Sequence, residues 1–115
     1  MTKTLVARVA AVLLALVAGG AFAHPIKVGE LNSYKVFPAF LEPYKKGWEL
    51  ALEEINRAGG INGRKLEVVS RDDGGNPGDA VRVAEELISR ENVALLLGTF
   101  ASDTGAYFIG RAAGR

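Results

Sequence analysis

The chain has 115 residues, with 14 Lys and Arg, 13 Asp and Glu, one histidine, no cysteine and 49% hydrophobic residues. A disulfide scaffold and a cysteine-based metal site are excluded outright. Near-neutral charge, with no basic stripe or interleaved aromatics, leaves no electrostatic handle on a phosphate backbone, so nucleic acid is not an expected partner.

The first 23 residues read as an export signal. Lys3 and Arg8 form a short basic region, Val9 to Ala18 an apolar core too short to span a bilayer, and Ala21-Phe22-Ala23 a small-x-small cleavage pattern. A retained membrane anchor is the alternative. The break at Gly19-Gly20 and the strand-like sequence that follows argue for export, with cleavage after Ala23. Taking 23 from 115 leaves 92 residues, 24 to 115, and taking Lys3 and Arg8 from the 14 basic residues leaves 12 against 13 acidic ones. That length supports one modest core and is short for a site that encloses a ligand.

Strand and helix patterns then alternate with short connections, which predicts an α/β fold with a parallel-sheet βαβαβ unit. The first strand is Ile26 to Leu31, "IKVGEL", followed by a loop from Asn32 to about Phe40. Pro43 suits the first turn of a helix, and Tyr44, Trp48, Ala51, Leu52 and Ile55 recur on one apolar face. Glycines 59 and 60 close that helix, and Asn62-Gly63 makes a tight turn into a second strand, Lys65 to Ser70. Asn76 is a predicted N-cap, Pro77 a first helical residue and Asp79 an acid favourable to the helix dipole. The second helix runs to about Arg90 and buries Ala80, Val81, Ala84, Leu87 and Ile88. The third strand, Val93 to Leu97, is apolar throughout, as expected of a strand covered on both faces, and stops at Gly98.

Ligands of open parallel sheets bind beyond the carboxyl ends of the strands. Three places follow: the loop Asn32 to Phe40, the turn Arg71 to Asn76, and the segment Thr99 to Thr104. In the third, Ser102 either caps the next helix and nothing more, or also offers its hydroxyl and nearby N–H groups to an anion such as a carboxylate. Tyr34 and Phe37 either line a cleft or fold back on the core. The pair Asp72-Asp73 reads as a solvated turn, because Gly74 stands where a calcium loop needs its next oxygen ligand. No metal and no cofactor is expected.

Enzyme chemistry finds little support. The only histidine, His24, lies at the start of the exported chain, so no internal triad can be built. "GGINGRK" lacks the spacing and the hydroxyl of a phosphate loop, and no GxGxxG follows the first strand.

The ordered set "IKVGEL", "KKGWELALEEINRAGGINGRKLEVVSRDDGGNPGDAVRVAEELI" and "VALLLGTFASDTG" resembles the opening of a type I periplasmic solute-binding protein, the Leu/Ile/Val-binding family of ABC importers. The likeness covers about residues 26 to 106 and rests on Gly47 and Ala51 before Ile55-Asn56, the turn from Gly59 to Gly63, Asp72-Asp73 with Pro77 and Ala80, and Gly98 followed by Ser102. It implies two α/β lobes joined by a hinge, of which this chain is a partial first lobe, a truncated product or fragment. It also implies export to the periplasm, an inner-membrane ABC permease as partner, and a small amino acid, amide or organic acid, carboxylate-bearing, held between the lobes. Ser102 occupies the family's carboxylate-binding position, with Ala101, Asp103 and Thr104 around it, and Ser33 and Tyr34 contribute a cleft wall. The first loop, "NSYKVFP", lacks the family's usual turn and points to an atypical solute. Two alternatives remain: a ligand-sensing domain of the same fold that feeds a regulator, and a fragment of a nucleotide-using α/β enzyme.

Overall fold

The computed structural model describes residues 23–105; the signal segment expected at the N-terminus falls almost wholly outside them, as does the chain from 106 on. The described residues form β1 (Ile26–Asn32), α1 (Pro38–Arg57), β2 (Leu66–Asp72), α2 (Pro77–Ser89) and β3 (Leu95–Gly98). All strands are parallel in the order β2-β1-β3, with β1 central, so the α/β reading and its βαβαβ connectivity hold. Ile26 to Asn32 pair with Leu66 to Asp72, and Val28 to Leu31 with Leu95 to Gly98. Because β2 and β3 lie on opposite sides of β1, the right-handed crossover rule requires α1 and α2 to fall on opposite faces of the sheet.

Alternation along the strands sorts the residues between those faces. Leu31, Val69 and Leu96 pack with Ala80, Val83, Ala84 and Leu87 of α2 to form the closed core. Gly29 belongs to the same face, and a Cβ there would meet Leu96 at 2.6 Å and Leu87 at 3.2 Å, so the missing side chain lets the helix settle close to the sheet. Glu30, Asn32 and Leu97 point to the other face, toward α1.

The α2 N-terminus is as the sequence predicts: Asn76 accepts from the N–H groups of Gly78 at 2.8 Å and Asp79 at 3.1 Å, with Pro77 behind it. Asn62-Gly63 forms its turn, closed by the Ile61–Arg64 pair.

Four expectations are corrected. Helix α1 starts at Pro38, not Pro43, and the preceding loop shortens to Ser33–Phe37. Pro38 takes the first-turn position where a missing N–H is harmless, and Phe37 O accepts from the N–H groups of Phe40 and Leu41. Pro43 therefore lies inside the helix, where it cannot bond the Ala39 carbonyl; the added turn instead buries Leu41. Strand β2 runs on to Asp72, and the β3 ladder runs from Leu95, with Ala94 N–H already donating to Lys27 O at 2.7 Å just before it. Strand β3 is not covered on both faces: Leu95 and Leu97 are 49% and 45% exposed, since α1 lies over β2. Finally, Ile88 is exposed and Val83 takes its expected place in the core, while Tyr44 and Ala51 are exposed on α1.

Candidate functional site

A cavity of about 440 Å³ opens at the carboxyl ends of β1 and β3, the point where the strand order reverses and where open α/β sheets hold their ligands. Its floor is Asn32 of β1 and the run Leu97–Phe100 at the end of β3; its far wall is Phe40, Leu41 and Tyr44 of α1. The walls are mostly apolar, with the Asn32 amide, the Thr99 hydroxyl and the Tyr44 phenol as the side-chain polar groups, the composition expected of a small-molecule site. Phe100 joins the two sides, stacking on Phe40 at 5.5 Å and meeting Phe37 at 5.3 Å between ring centroids.

The backbone that shapes the floor is unusual. Gly98 has φ +124° and Thr99 φ +59°, two consecutive residues outside the ordinary right-handed and extended regions. Both following amides are tied to β1: Thr99 N–H donates to Leu31 O at 2.9 Å, and Phe100 N–H to Asn32 Oδ1 at 2.7 Å.

Beneath the cavity lies a fully buried carboxylate. Glu30 accepts from Asn32 Nδ2 at 2.5 Å and from Ser70 Oγ, its neighbour on β2, at 2.6 Å. Trp48 Nε1 donates to the Tyr34 hydroxyl at 3.3 Å. Burial, reinforced by the nearby Glu30 charge, pushes the Tyr34 phenol up to about 12, and the same two causes raise the Tyr44 phenol.

The residues expected at the site fall in three groups. Ser102 and Asp103 are exposed and Ala101 is half-buried at the start of the helical turn that begins at Ser102. The Gly105 N–H donates to Ala101 O, so Ala101 holds the cap position and Ser102 is the first residue inside the turn. Thr104 is buried, and its Oγ1 has no partner among the described residues. Ser33 is buried too, with its hydroxyl donated to Asp73 Oδ1 at 2.5 Å, and the Tyr34 hydroxyl is turned toward Trp48.

Asp72 and Asp73 organise the loop between β1 and α1. Asp72 accepts from Lys35 N and Gly74 N, and Asp73, 2% exposed, accepts from Ser33 and Gly75 N while its Oδ2 lacks a partner among the described residues. The turn is thus partly buried and not simply solvated. No cluster of three or more His, Cys, Asp or Glu side chains suited to a metal occurs among the described residues.

Sequence reasoning placed Phe40 at the end of a candidate loop but did not single out Glu30, Leu41 or Tyr44 as parts of a site. The available signal was in β1, where Glu30 and Asn32 alternate with Gly29 and Leu31 in a strand that must be central.

With this geometry in view, comparison with known proteins is direct. A family profile described as "Periplasmic binding protein" matches residues 25–113. Among curated relatives, the chain is 43% identical over 90 residues to Leu/Ile/Val-binding protein homolog 7 of Brucella suis, covering 76% of this chain and 22% of the relative. It is 41% identical over 66 residues to an amino acid binding protein of Pseudomonas aeruginosa, covering 57% of this chain and 18% of the relative. Among solved structures it is similar to the branched-chain amino acid transporter substrate binding protein LivJ of Streptococcus pneumoniae in complex with isoleucine, with a TM-score of 0.70, 31% identity and coverage of 78% of this chain and 26% of that one. A solute binding protein of an ABC transporter from R. palustris, in complex with benzoate, matches with a TM-score of 0.66, 28% identity and coverage of 76% and 24%.

The chain belongs to the periplasmic binding protein family, in its type I group. It spans about a fifth of the length of these curated relatives and about a quarter of these solved neighbours. By their names, these relatives and neighbours are solute-binding proteins and not enzymes.

Proposed function

We propose that the chain is part of the first lobe of the substrate-binding component of an ABC importer, which captures a small carboxylate-bearing amino acid, amide or organic acid in the periplasm for an inner-membrane permease. The observation that carries this reading is the cavity of about 440 Å³ at the reversal of strand order, with apolar walls and few polar groups. Isoleucine and benzoate, the molecules named with two solved neighbours, both join a carboxylate to a compact apolar body. Leu41, Leu97 and Phe100 suit such a body, and the carboxylate would turn toward Ser102, with Ala101, Asp103 and Thr104, which follow the lining residue Phe100 in the chain and lie outside the cavity lining itself. Ser33 and Tyr34 lie in the loop that leads to Phe40 and Leu41, held by Asp73 and Trp48.

The test is a titration of the isotope-labelled chain with isoleucine and with benzoate, followed by amide chemical shifts, which register even millimolar binding. Saturable shifts at Asn32, Thr99, Phe100 and Ser102 are expected. Their absence with both solutes, while the fold is intact, would refute the reading.

Export rests on Lys3, Arg8, the apolar core Val9 to Ala18 and the Ala21-Phe22-Ala23 pattern. N-terminal sequencing of the exported protein is expected to begin at His24, leaving 24–115 as the binding portion. Recovery of intact Met1 in the membrane fraction would overturn it.

A further inference from the structure

We infer that Glu30 is a positioning residue for the solute site, acting through the Asn32 amide on the loop that leads to Ser102. Glu30 is 0% and Asn32 2% exposed, so neither can turn to water for a missing partner. A backbone N–H only donates, and a side-chain amide oxygen only accepts. The Asn32 side chain, placed between Glu30 Oε1 at 2.5 Å and the Phe100 N–H at 2.7 Å, therefore has one permitted orientation, with Nδ2 to the acid and Oδ1 to the loop. Ser70 Oγ, donating to Glu30 Oε2 at 2.6 Å, fixes the carboxylate itself.

The link matters because of where it ends. Phe100 follows the two positive-φ residues Gly98 and Thr99, and its ring lines the cavity. Thr99 N–H is held by a backbone carbonyl, but Phe100 N–H is held by the Asn32 side chain, which Glu30 orients. With no acceptor at position 30, the buried Asn32 NH₂ would lose its 2.5 Å bond and keep only the nearby Tyr44 phenol, so the amide would no longer be held in one orientation and Phe100 N–H would lose its fixed Oδ1. The ring and the entry to Ser102 would then lose their fixed direction. The role in solute capture rests on the function proposed above; the Glu30–Asn32–Phe100 link does not.

The experiment measures amide hydrogen exchange at Phe100 in the native chain and in two variants, with Val28 and Val69 in the strands as fold controls. Glu30→Met keeps length and removes the acceptor, and Phe100 exchange is expected to accelerate about tenfold or more while the strand amides hold. Glu30→Gln retains an acceptor for Asn32 Nδ2, and near-native protection is expected. Unchanged protection in the Met variant overturns the proposal, as does equal loss in the Gln variant. Should the Met variant fail to fold, the exchanged pair Glu30→Gln with Asn32→Asp decides: the amide now donates from position 30 and a carboxylate oxygen still faces Phe100. Protection of Phe100 in that pair supports the link, and loss of protection or of the fold overturns it. A parallel isoleucine titration separates the two readings. Shifts that are weak in Glu30→Met and normal in Glu30→Gln support the role in capture, and equal shifts in both overturn that role. No shifts in the native chain mean that the proposed function has failed, and the exchange data still judge the link.

Discussion

Replacing Gly98 by alanine tests whether the floor of the cavity is built as described. The residue has φ +124°, and a Cβ added there would lie 1.9 Å from Leu31 O, 2.9 Å from Leu31 C and 3.1 Å from Asn32 Nδ2. The nearest atom is backbone in the central strand, so no side-chain rotation relieves the overlap. Holding a side-chain-bearing residue in such a region costs about 1 to 3 kcal/mol. Separating the Cβ from Leu31 O also breaks the bond from Thr99 N–H, and a buried group left unpaired costs about 1 to 3 kcal/mol more. The total, about 2 to 6 kcal/mol, is a large share of the roughly 5 to 15 kcal/mol typical of a whole domain. Gly47, in α1, is the matched control, because a Cβ there meets nothing within 4 Å. Gly47→Ala is expected to raise stability by about 0.4 to 1 kcal/mol. Urea unfolding followed by far-ultraviolet circular dichroism compares the three proteins at equal m-value. A Gly98→Ala protein within about 0.5 kcal/mol of the native one would show that the β1–β3 junction is not held as described.

Asn76→Ala removes two hydrogen bonds to the first turn of α2 and is expected to cost about 1 kcal/mol, read from a thermal melt; no loss would mean that Pro77 suffices to start the helix. Ser102→Ala is expected to weaken a carboxylate solute about tenfold while leaving the melting temperature nearly unchanged, because Ala101 and not Ser102 holds the cap position. Calorimetric or shift titration beside a melting curve separates the two effects, and unchanged affinity would remove Ser102 from the site. Tyr34 gives a pH test. Its folded-state value of about 12 lies above the ordinary 10, so the folded chain holds this proton more tightly, and the associated stability is complete below pH 10 and is lost as pH rises toward 12. Urea midpoints of the native chain should therefore fall more steeply over that window than those of Tyr34→Phe, and parallel profiles would contradict it.

Much of the fold was legible because its elements carry their own local chemistry. Asn76-Pro77 announces a helix start, Asn62-Gly63 a tight turn, and the alternation of strand and helix a parallel sheet. Boundaries were less so. Pro38 and Pro43 are equally good helix starters by local rules, and the choice is made by Leu41, whose burial needs the extra turn. That one choice carried the cavity with it, since Phe40 and Leu41 reach the site only if the helix already exists there. Hydropathy likewise could not show where β3 meets a partner, because Val93 and Ala94 are as apolar as the paired residues after them. The segment around Ser102 was located correctly as lying beyond β3, but exposure, burial and cap position depend on the turn at Gly98 and Thr99, which no residue pattern specifies.

The alternation in β1 has a consequence for how such a chain can change over generations. Gly29 and Leu31 answer to the packing of α2, while Glu30 and Asn32, one residue away each, answer to the cavity. Substitutions at the even positions bear first on the cavity and its loop, and those at the odd positions bear first on the packed layer. A single-residue insertion in the strand would exchange the two duties at once, placing an acid against Leu87 and a leucine beneath the cavity. Variation by replacement is therefore open to this strand, and variation by length is closed to it.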